Sequence, residues 1–282
     1  MKAVAAILLL LLLAACGRAD NWPEPSPALW QVTGPAGQQG WLFGTIHALP
    51  DGAEWRTPEL DGAIAAAGPL VVEIGAPDPA QTQALFARLG RSPGLPPVTQ
   101  RLPPAERPAL DAALDRAEFP PGMLDGWEDW AAALTLANAL RSGDVANGVD
   151  RALVAGSTRV IALESVAEQF ALFDTLPPVA QAALLRDAAA GGNPAAEDAR
   201  TRAWLAGDMA ALERDAATGL LSDPVLRERL QTGRNRAWMP VIATLLDEGA
   251  RPFVAVGAAH MLGPEGLPAL LAARGYTVRR VQ

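Results

Sequence analysis

The stretches WLFGTIH at residues 41–47 and FVAVGAAH at residues 253–260 decide the fold. Each is a short apolar run that ends in Gly-x-x-His, and a leucine follows two residues after each histidine. A continuous apolar run of this length is typical of a strand that is buried on both faces, as in a parallel sheet. We therefore expect two buried strands, one near each end of the chain, with a histidine just beyond the carboxyl end of each.

The residues around these two stretches predict two similar strand-helix-strand units. The first unit has a hairpin of strands 29–33 and 40–43, a helix over 58–67 that Thr57 can cap, and a buried strand over 69–74. The second unit has a strand over 253–256, a helix over 264–274 and a strand over 276–281. Parallel strands in such units require right-handed crossovers and helices on both faces of the sheet.

The middle of the chain is mostly helical in pattern. Residues 79–157 and 164–249 have helical periodicity and a composition rich in Ala, Leu, Arg, Glu and Gln, whereas 159–163 is the one strand-like run between them. The predicted fold class is α/β: a mixed central sheet of about six strands, built from two pseudo-symmetric βαβ halves, with a large helical middle portion.

The N-terminus predicts an exported lipoprotein. Residues 1–15 have a lysine and an unbroken apolar run, the pattern of a secretory signal, and Leu-Ala-Ala-Cys resembles the bacterial lipoprotein signal in which Cys16 is acylated. Residues 16–28 are then a lipidated tether and 29–282 the folded domain. We expect a periplasm-facing protein of the bacterial cell envelope, held at a membrane through its N-terminal lipid only. The residue after the cysteine is Gly17 and not an aspartate, which by resemblance to enterobacterial sorting rules favours the outer membrane.

The composition narrows the classes of partner. Half of the residues are apolar, which is enough for a core and excludes intrinsic disorder. Acidic residues outnumber basic ones by 31 to 23, for a net charge of −8, which argues against nucleic acid as a partner. Cys16 is the only cysteine, so the mature domain has no disulfide and no thiolate ligand once that sulfur is acylated.

The two histidines of the chain, His47 and His260, are the first candidates for a functional site. Both follow predicted strands at the sheet edge where ligands bind in open α/β folds, and Gly44 and Gly257 would allow a close backbone approach. The alternative is that each histidine caps the following helix or bonds a loop carbonyl. Two imidazoles are too few for a divalent metal, so further protein ligands must be oxygen atoms.

Three carboxylates could supply that oxygen. Glu73 ends a predicted buried strand, where a carboxylate is costly without a cation or a donor; the alternative is a strand whose polar face meets water. Glu164 ends the middle strand and could instead cap a helix. Asp150 is a weaker candidate, because an aspartate beside an arginine is usually a surface charge.

A cation and an amide are adjacent at Arg234 and Asn235. Together they could stabilise a developing oxyanion, although long basic side chains normally lie on a solvated helix face. The sequence has no HExxH, P-loop, GxSxG or GxGxxG pattern, so zinc-peptidase, nucleotide-binding and serine-hydrolase functions have no motif in their favour.

These pieces together resemble the TraB/GumN family, which is related to the Tiki metallopeptidases. The matching segments are WLFGTIH at 41–47, LVVE at 70–73, GVD at 148–150, LES at 163–165, Arg234-Asn235 and FVAVGAAH at 253–260. The resemblance implies a fold similar to the erythromycin-esterase and ChaN-like proteins. It also implies a metal site at His47, His260 and Glu73, with manganese or cobalt as the metal; zinc and iron accept similar ligands.

Three hypotheses follow from the sequence. The first is a lipid-anchored, metal-dependent hydrolase, most simply a peptidase acting on an extracytoplasmic peptide or protein, in which Glu73 or Glu164 is ligand or general base. The second is a non-catalytic envelope lipoprotein that binds a metal, haem or a peptide in the same pocket. The third is a structural lipoprotein in which the two histidine motifs only shape turns.

Overall fold

A six-stranded sheet forms the centre of the computed structural model, which describes residues 22–282. Its strands are β1 (Leu29–Thr33), β2 (Gln39–Thr45), β3 (Leu70–Val72), β4 (Val160–Ala162), β5 (Phe253–Gly257) and β6 (Thr277–Arg280). Their order across the sheet is β4-β3-β5-β2-β1-β6. The first four strands in that order are parallel, and β1 is antiparallel to both β2 and β6. The mixed sheet confirms the predicted α/β class.

β2 and β5, the strands that lead to the two histidines, are direct neighbours in the sheet. β2 and β5 pair in register from Trp41 opposite Phe253 to Thr45 opposite Gly257, so both motifs leave the sheet at the same edge. Each strand leads through a helix to a later parallel strand, but β5 lies between β2 and β3, whereas two strands separate β5 from β6. This topology is compatible with two pseudo-symmetric halves.

β3 is shorter than the predicted strand 69–74. It ends at Val72, so Glu73 lies just outside the ladder, although the backbone N–H of Glu164 still donates to its carbonyl oxygen at 2.9 Å. The carboxylates that follow β3 and β4 are therefore carried on adjacent backbone segments.

Helices cover the sheet and form the middle of the chain. They are α1 (Pro58–Ala66), α2 (Pro79–Leu89), α3 (Arg107–Arg116), α4 (Asp129–Leu140), α5 (Val149–Ala155), α6 (Val166–Asp174), α7 (Pro178–Ala190), α8 (Pro194–Leu205), α9 (Met209–Thr218), α10 (Pro224–Arg227), α11 (Gly233–Asp247) and α12 (Leu267–Ala273). Thr57 caps α1 as expected, its hydroxyl accepting from the N–H of Leu60. α12 begins three residues later than predicted, since residues 262–266 form turns.

Apolar side chains alternate along the strands and pack on both faces of the sheet. Phe43 and Phe253 belong to the cluster on one face, where Trp204 of α8 joins them. Leu42 and Val254 belong to the cluster on the other face, which includes residues of α11 and α12. A third cluster, around Trp130, lies among α3, α4 and α7. Since α11 lies against the sheet beside β5, it can present polar side chains to the same edge as the histidines.

The N-terminal part of the described chain lies against the domain. Residues 22–28 belong to the predicted tether; the N–H of Ser26 donates to the carbonyl oxygen of Leu205, and Arg202 lies over the ring of Trp22. The predicted signal peptide and Cys16 lie outside the described residues. None of the helices in residues 22–282 combines the length and the apolar character needed to cross a bilayer.

Candidate functional site

The candidate site lies at the carboxyl ends of four adjacent parallel strands. Glu164 follows β4, Glu73 follows β3, His260 follows β5 and His47 follows β2. The strand order therefore sets the order of these side chains along one edge of the sheet, with the two carboxylates on one side and His47 on the other. Ligands of open α/β sheets bind at this edge.

Arg234 connects the carboxylates to His260. Its Nε donates to Glu164 at 2.9 Å and its Nη2 donates to both Glu164 and Glu73. Its Nη1 donates to the carbonyl oxygen of Leu230 and lies 3.1 Å from Nε2 of His260. All five N–H bonds thus have acceptors, and the residue is only 9% exposed. The alternative of a solvated helix face is wrong for Arg234.

A π-helical turn over Glu228–Thr232 brings Arg234 to this position. The N–H of Gly233 closes the turn on the carbonyl oxygen of Glu228, and a Cβ on Gly233 would lie 2.6 Å from that oxygen. Such turns add a residue to a helix and occur frequently at functional sites. Gly233 therefore allows the close approach that starts α11 with Arg234 and Asn235 facing inward.

His260 is buried, and its neighbours define its tautomer. The side-chain amide of Asn235 donates to the carbonyl oxygens of His260 and Glu265, which leaves its Oδ1 as an acceptor 2.6 Å from Nδ1 of His260. We assign the proton to Nδ1 from this network, so the lone pair is on Nε2, facing Arg234. Burial lowers the pKa of His260 to about 4, so the ring is neutral at pH 7.

Glu73 is held as an ion between two donors. Its Oε1 accepts from the N–H of Gly257 at 2.7 Å and lies 3.7 Å from Nε2 of His260, while its Oε2 accepts from Arg234. Burial alone would raise the pKa of Glu73, but the positive charges around it and the Gly257 N–H lower it to about 2. The alternative of a water-facing strand is wrong for this carboxylate.

The carboxylate of Glu164 also accepts hydrogen bonds from the cluster, and it does not cap the following helix. Its two oxygens accept from Arg234, and Oε1 also accepts from the indole N–H of Trp238 at 2.9 Å. The N-cap of α6 is Ser165, which forms a capping box with Glu168. The helix-capping alternative for Glu164 is therefore wrong, and the carboxylate belongs to the buried cluster.

His47 has the opposite environment. Its side chain is 60% exposed, and Nδ1 lies 2.8 Å from Oδ2 of Asp150. The hydrogen bond to Asp150 raises the pKa of His47 above its ordinary value, and it directs the neutral tautomer to leave the Nε2 lone pair free. Asp150 is thus a partner of His47 rather than an isolated surface charge; its Oδ1 is buried and has no partner among residues 22–282.

Trp238 is a member of the site that the sequence did not identify. Its ring centroid lies 4.5 Å from that of His260 and 4.6 Å from the guanidinium carbon of Arg234. Its place one helical turn after Arg234 was the available signal, since residues three or four apart share a helix face.

Metal binding can be tested against these donors. In residues 22–282 no group of three or more His, Cys, Asp or Glu side chains has an arrangement that would hold a metal ion. The donor types do fit a divalent cation: Nε2 carries the lone pair in His260 and in neutral His47, and Glu73 is ionised. Arg234 now takes the His260 lone pair, so a cation would compete with this guanidinium.

The family comparison covers nearly the whole folded domain. A family model described as the TraB/PrgY/gumN family matches residues 28–280. Neither the curated proteins nor the solved structures gave a significant match.

Proposed function

The chain belongs to the TraB/PrgY/gumN family, and on that premise we propose that it is a lipid-anchored, metal-dependent hydrolase that cleaves a peptide bond in an extracytoplasmic peptide or protein. Kinship with the Tiki metallopeptidases is part of this proposal and rests on the motifs at His47, Glu73 and His260. Cys16 and the export signal lie outside the described residues, so the membrane anchor and the outer-membrane location rest on the sequence alone.

One observation carries the proposal. Glu73, His260 and His47 follow three adjacent parallel strands at the ligand-binding edge of the sheet, with an ionised carboxylate next to His260 and His260 next to His47. The hydrogen bonds of both rings at Nδ1, to Asn235 and to Asp150, leave the lone pair on Nε2. Carboxylate and amide partners of this kind orient histidines that ligate metals. Oε1 of Glu73 lies 3.7 Å from Nε2 of His260, and the charge of His47 is among the causes that lower the pKa of Glu73.

The metal would be held by His47, His260 and Glu73. When bound, it would supply Lewis acidity that lowers the pKa of a water molecule toward neutrality. Manganese or cobalt is the first choice from the family resemblance, and zinc or iron would accept the same nitrogen and oxygen ligands. Binding requires Arg234 to release Nε2 of His260, and its bonds to Glu164 allow it to stay beside the site.

The remaining residues divide the other tasks. Glu164 and Glu73 are the candidates for the general base, and Glu164 must give up a bond from Arg234 or Trp238 to act as one. Arg234, which contacts both Glu73 and His260, is the cation that could stabilise a developing oxyanion. Asn235 already donates both amide N–H bonds to backbone carbonyls, so its first role is to orient His260.

A second candidate function is a non-catalytic envelope protein that binds a metal, haem or a peptide. The observation in its favour is that Arg234 and Asn235 have all of their N–H bonds engaged within the protein. Because these N–H bonds are engaged within the protein, they keep the site rigid and leave no free donor on either side chain for an oxyanion.

Metal content and peptide cleavage test the two candidates together. We expect purified protein, reconstituted with manganese, cobalt, zinc or iron, to hold close to one equivalent of metal, and His47→Ala and Glu73→Gln to weaken that binding at least tenfold. Asp61→Asn, which removes an exposed carboxylate on α1, is the matched control and should bind as the wild type does. Elemental analysis and a peptide library, with and without chelator, are the measurements.

Each outcome decides between the candidates. Chelator-sensitive cleavage that is lost in His47→Ala supports the hydrolase. Metal binding without cleavage of any peptide favours the binding protein. Wild-type protein that stays metal-free after reconstitution rejects the metal site in both.

A further inference from the structure

An open cavity of about 690 Å³ lies beside the buried cluster. Glu164 and Arg234 form part of its wall, and the other lining residues come from α6, the loop before α7, α10, the π-helical turn and α11. Leu172, Leu176 and Val225 are among them. Pockets that hold small ligands commonly have volumes of about 300–1,000 Å³, so this cavity has a suitable size.

The two polar side chains of the wall that belong to the buried cluster, Arg234 and Glu164, are already bonded within the protein. Every N–H bond of Arg234 already has an acceptor, and both oxygens of Glu164 accept bonds from Arg234. Glu228 and Arg229, which also line the cavity, are exposed at its rim, so their charges remain in contact with water. A polar or charged group placed against Arg234 and Glu164 would lose its water without gaining a donor from Arg234.

The cavity also lies directly beside the proposed active site. Arg234, which lines the cavity, directly contacts Glu73 and His260. A ligand in the cavity therefore lies against the same guanidinium that bridges the cluster. The apolar residues of the wall, together with the already bonded Arg234 and Glu164, therefore favour an apolar ligand.

We propose that this cavity is a specificity subsite that takes an aliphatic or aromatic side chain of the substrate. That the bound group belongs to a substrate rests on the proposed function, whereas binding of an apolar group in this cavity is independent of it. The subsite lies on the carboxylate side of the sheet edge, and the exposed His47 is on the opposite side.

Two substitutions on α11 provide a matched test. Ala237 lines the cavity and is exposed, so Ala237→Trp should fill the space without disturbing the core. Val241, one turn further along the same helix, is 43% exposed and does not line the cavity, so Val241→Trp is the control. Val225→Asp, which adds a charge to the wall, is a second variant if Ala237→Trp is not folded by circular dichroism.

The measurement is binding of the uncharged fluorophore N-phenyl-1-naphthylamine to the purified protein. We expect one saturable site in the wild type, at least tenfold weaker binding in Ala237→Trp, and binding within twofold of wild type in Val241→Trp. Blocked tripeptides acetyl-Ala-X-Ala-amide should displace the fluorophore at least tenfold better with X as leucine or phenylalanine than with X as serine, lysine or aspartate.

Equal fluorophore binding in the two tryptophan variants would overturn the subsite, as would equal displacement by the charged peptides. A concentration-dependent dimer that excludes the fluorophore would also overturn it, because a second copy would then cover the cavity. Saturable, leucine-selective binding without cleavage of any peptide would reject the hydrolase and leave the subsite standing.

Discussion

The two Gly-x-x-His motifs share a sequence pattern and a place in the sheet, yet their histidines have opposite environments. The side chain of His47 is 60% exposed and that of His260 is 5% exposed. After β5 the chain forms a 3₁₀ turn over Ala258–Met261 that turns His260 toward α11. After β2 the chain instead runs to Leu49, which bridges to Asp144, and His47 stays at the surface.

The glycines of the two motifs also do different things. Neither has a left-handed backbone, so both are explained by close approach rather than by φ. A Cβ on Gly44 would lie 2.9 Å from Cα of Ala258, whereas a Cβ on Gly257 would lie 3.1 Å from Oε1 of Glu73. Gly44 makes room for the second motif, and Gly257 makes room for the carboxylate.

The Gly-x-x-His motif therefore specifies a position at the sheet edge, and the residues packed around each histidine specify its exposure and protonation. Asn235, Arg234 and Trp238 hold His260 in one tautomer and keep water away from it. His47 is held by a hydrogen bond to Asp150 and remains open to solvent. We infer that the second motif is the preorganised half of the site and the first is the half that meets ligands.

The largest expected effect comes from removing the cation of the buried half. Arg234→Met leaves Glu73 and Glu164 buried without their shared partner, and breaking a buried ion pair in this way typically costs about 3–5 kcal/mol. We expect a loss of that size in the free energy of unfolding, measured by urea denaturation.

Arg236 provides the control for that loss. It lies two residues further on α11, pairs with the exposed Glu228 and Glu265, and is itself 49% exposed. Surface pairs of this kind contribute at most about 1 kcal/mol, so Arg236→Met should be nearly neutral. Equal losses in the two variants would mean that the buried cluster is not the stabilising feature.

The next largest effect is a loss of stability in acid, which should come from His260 and not from His47. Burial lowers the pKa of His260 to about 4, below the value of 6.5 expected in the unfolded chain, so the unfolded state binds a proton first as pH falls. Stability is therefore lost between pH 6.5 and 4, by roughly 3 kcal/mol in total for this shift. Glu73 adds to the loss only below pH 4.5, as the pH approaches its pKa of about 2.

His47 should act on the other side of neutrality. Its pKa is raised by the hydrogen bond to Asp150, so its contribution is complete below pH 6.5 and is lost as the pH rises through the raised value. Urea unfolding in chelator from pH 4.5 to 8 is the measurement. His260→Gln should flatten the acid side and His47→Gln the alkaline side; an acid side unchanged in His260→Gln would contradict the assignment.

The sequence predicted the frame of the fold because its signals are local. Strands β2, β3 and β5, helix α1 and the position of both histidines follow from apolar runs, a capping threonine and glycines that stop elements. The parallel strands then bring the histidines to one edge without further information. The choice of Glu73 as a candidate rested on the cost of burying a charge in an apolar strand, and its side chain is only 11% exposed.

The partners of these residues could not be predicted from the sequence because they are distant along the chain. His47 and Asp150 are 103 residues apart, and Arg234 and Glu73 are 161 apart. Which of the two histidines is buried depends on the 3₁₀ turn after Gly257 and on the π-helical turn before Gly233. Both turns result from tertiary packing, and neither has a periodic pattern that a sequence would reveal.

The smallest expected effect distinguishes the two glycines. Gly44→Ala forces the backbone at Ala258 to move, and overpacking of this kind costs about 1–3 kcal/mol. Gly257→Ala meets a side-chain oxygen that can retreat by a few tenths of an ångström, so its cost should be about 1 kcal/mol or less. Urea unfolding of both variants measures the difference. If Gly257→Ala proves to be the more costly of the two, the Glu73 carboxylate is held more rigidly than the backbone of the second motif, and the preorganised half of the site begins at β3 rather than at β5.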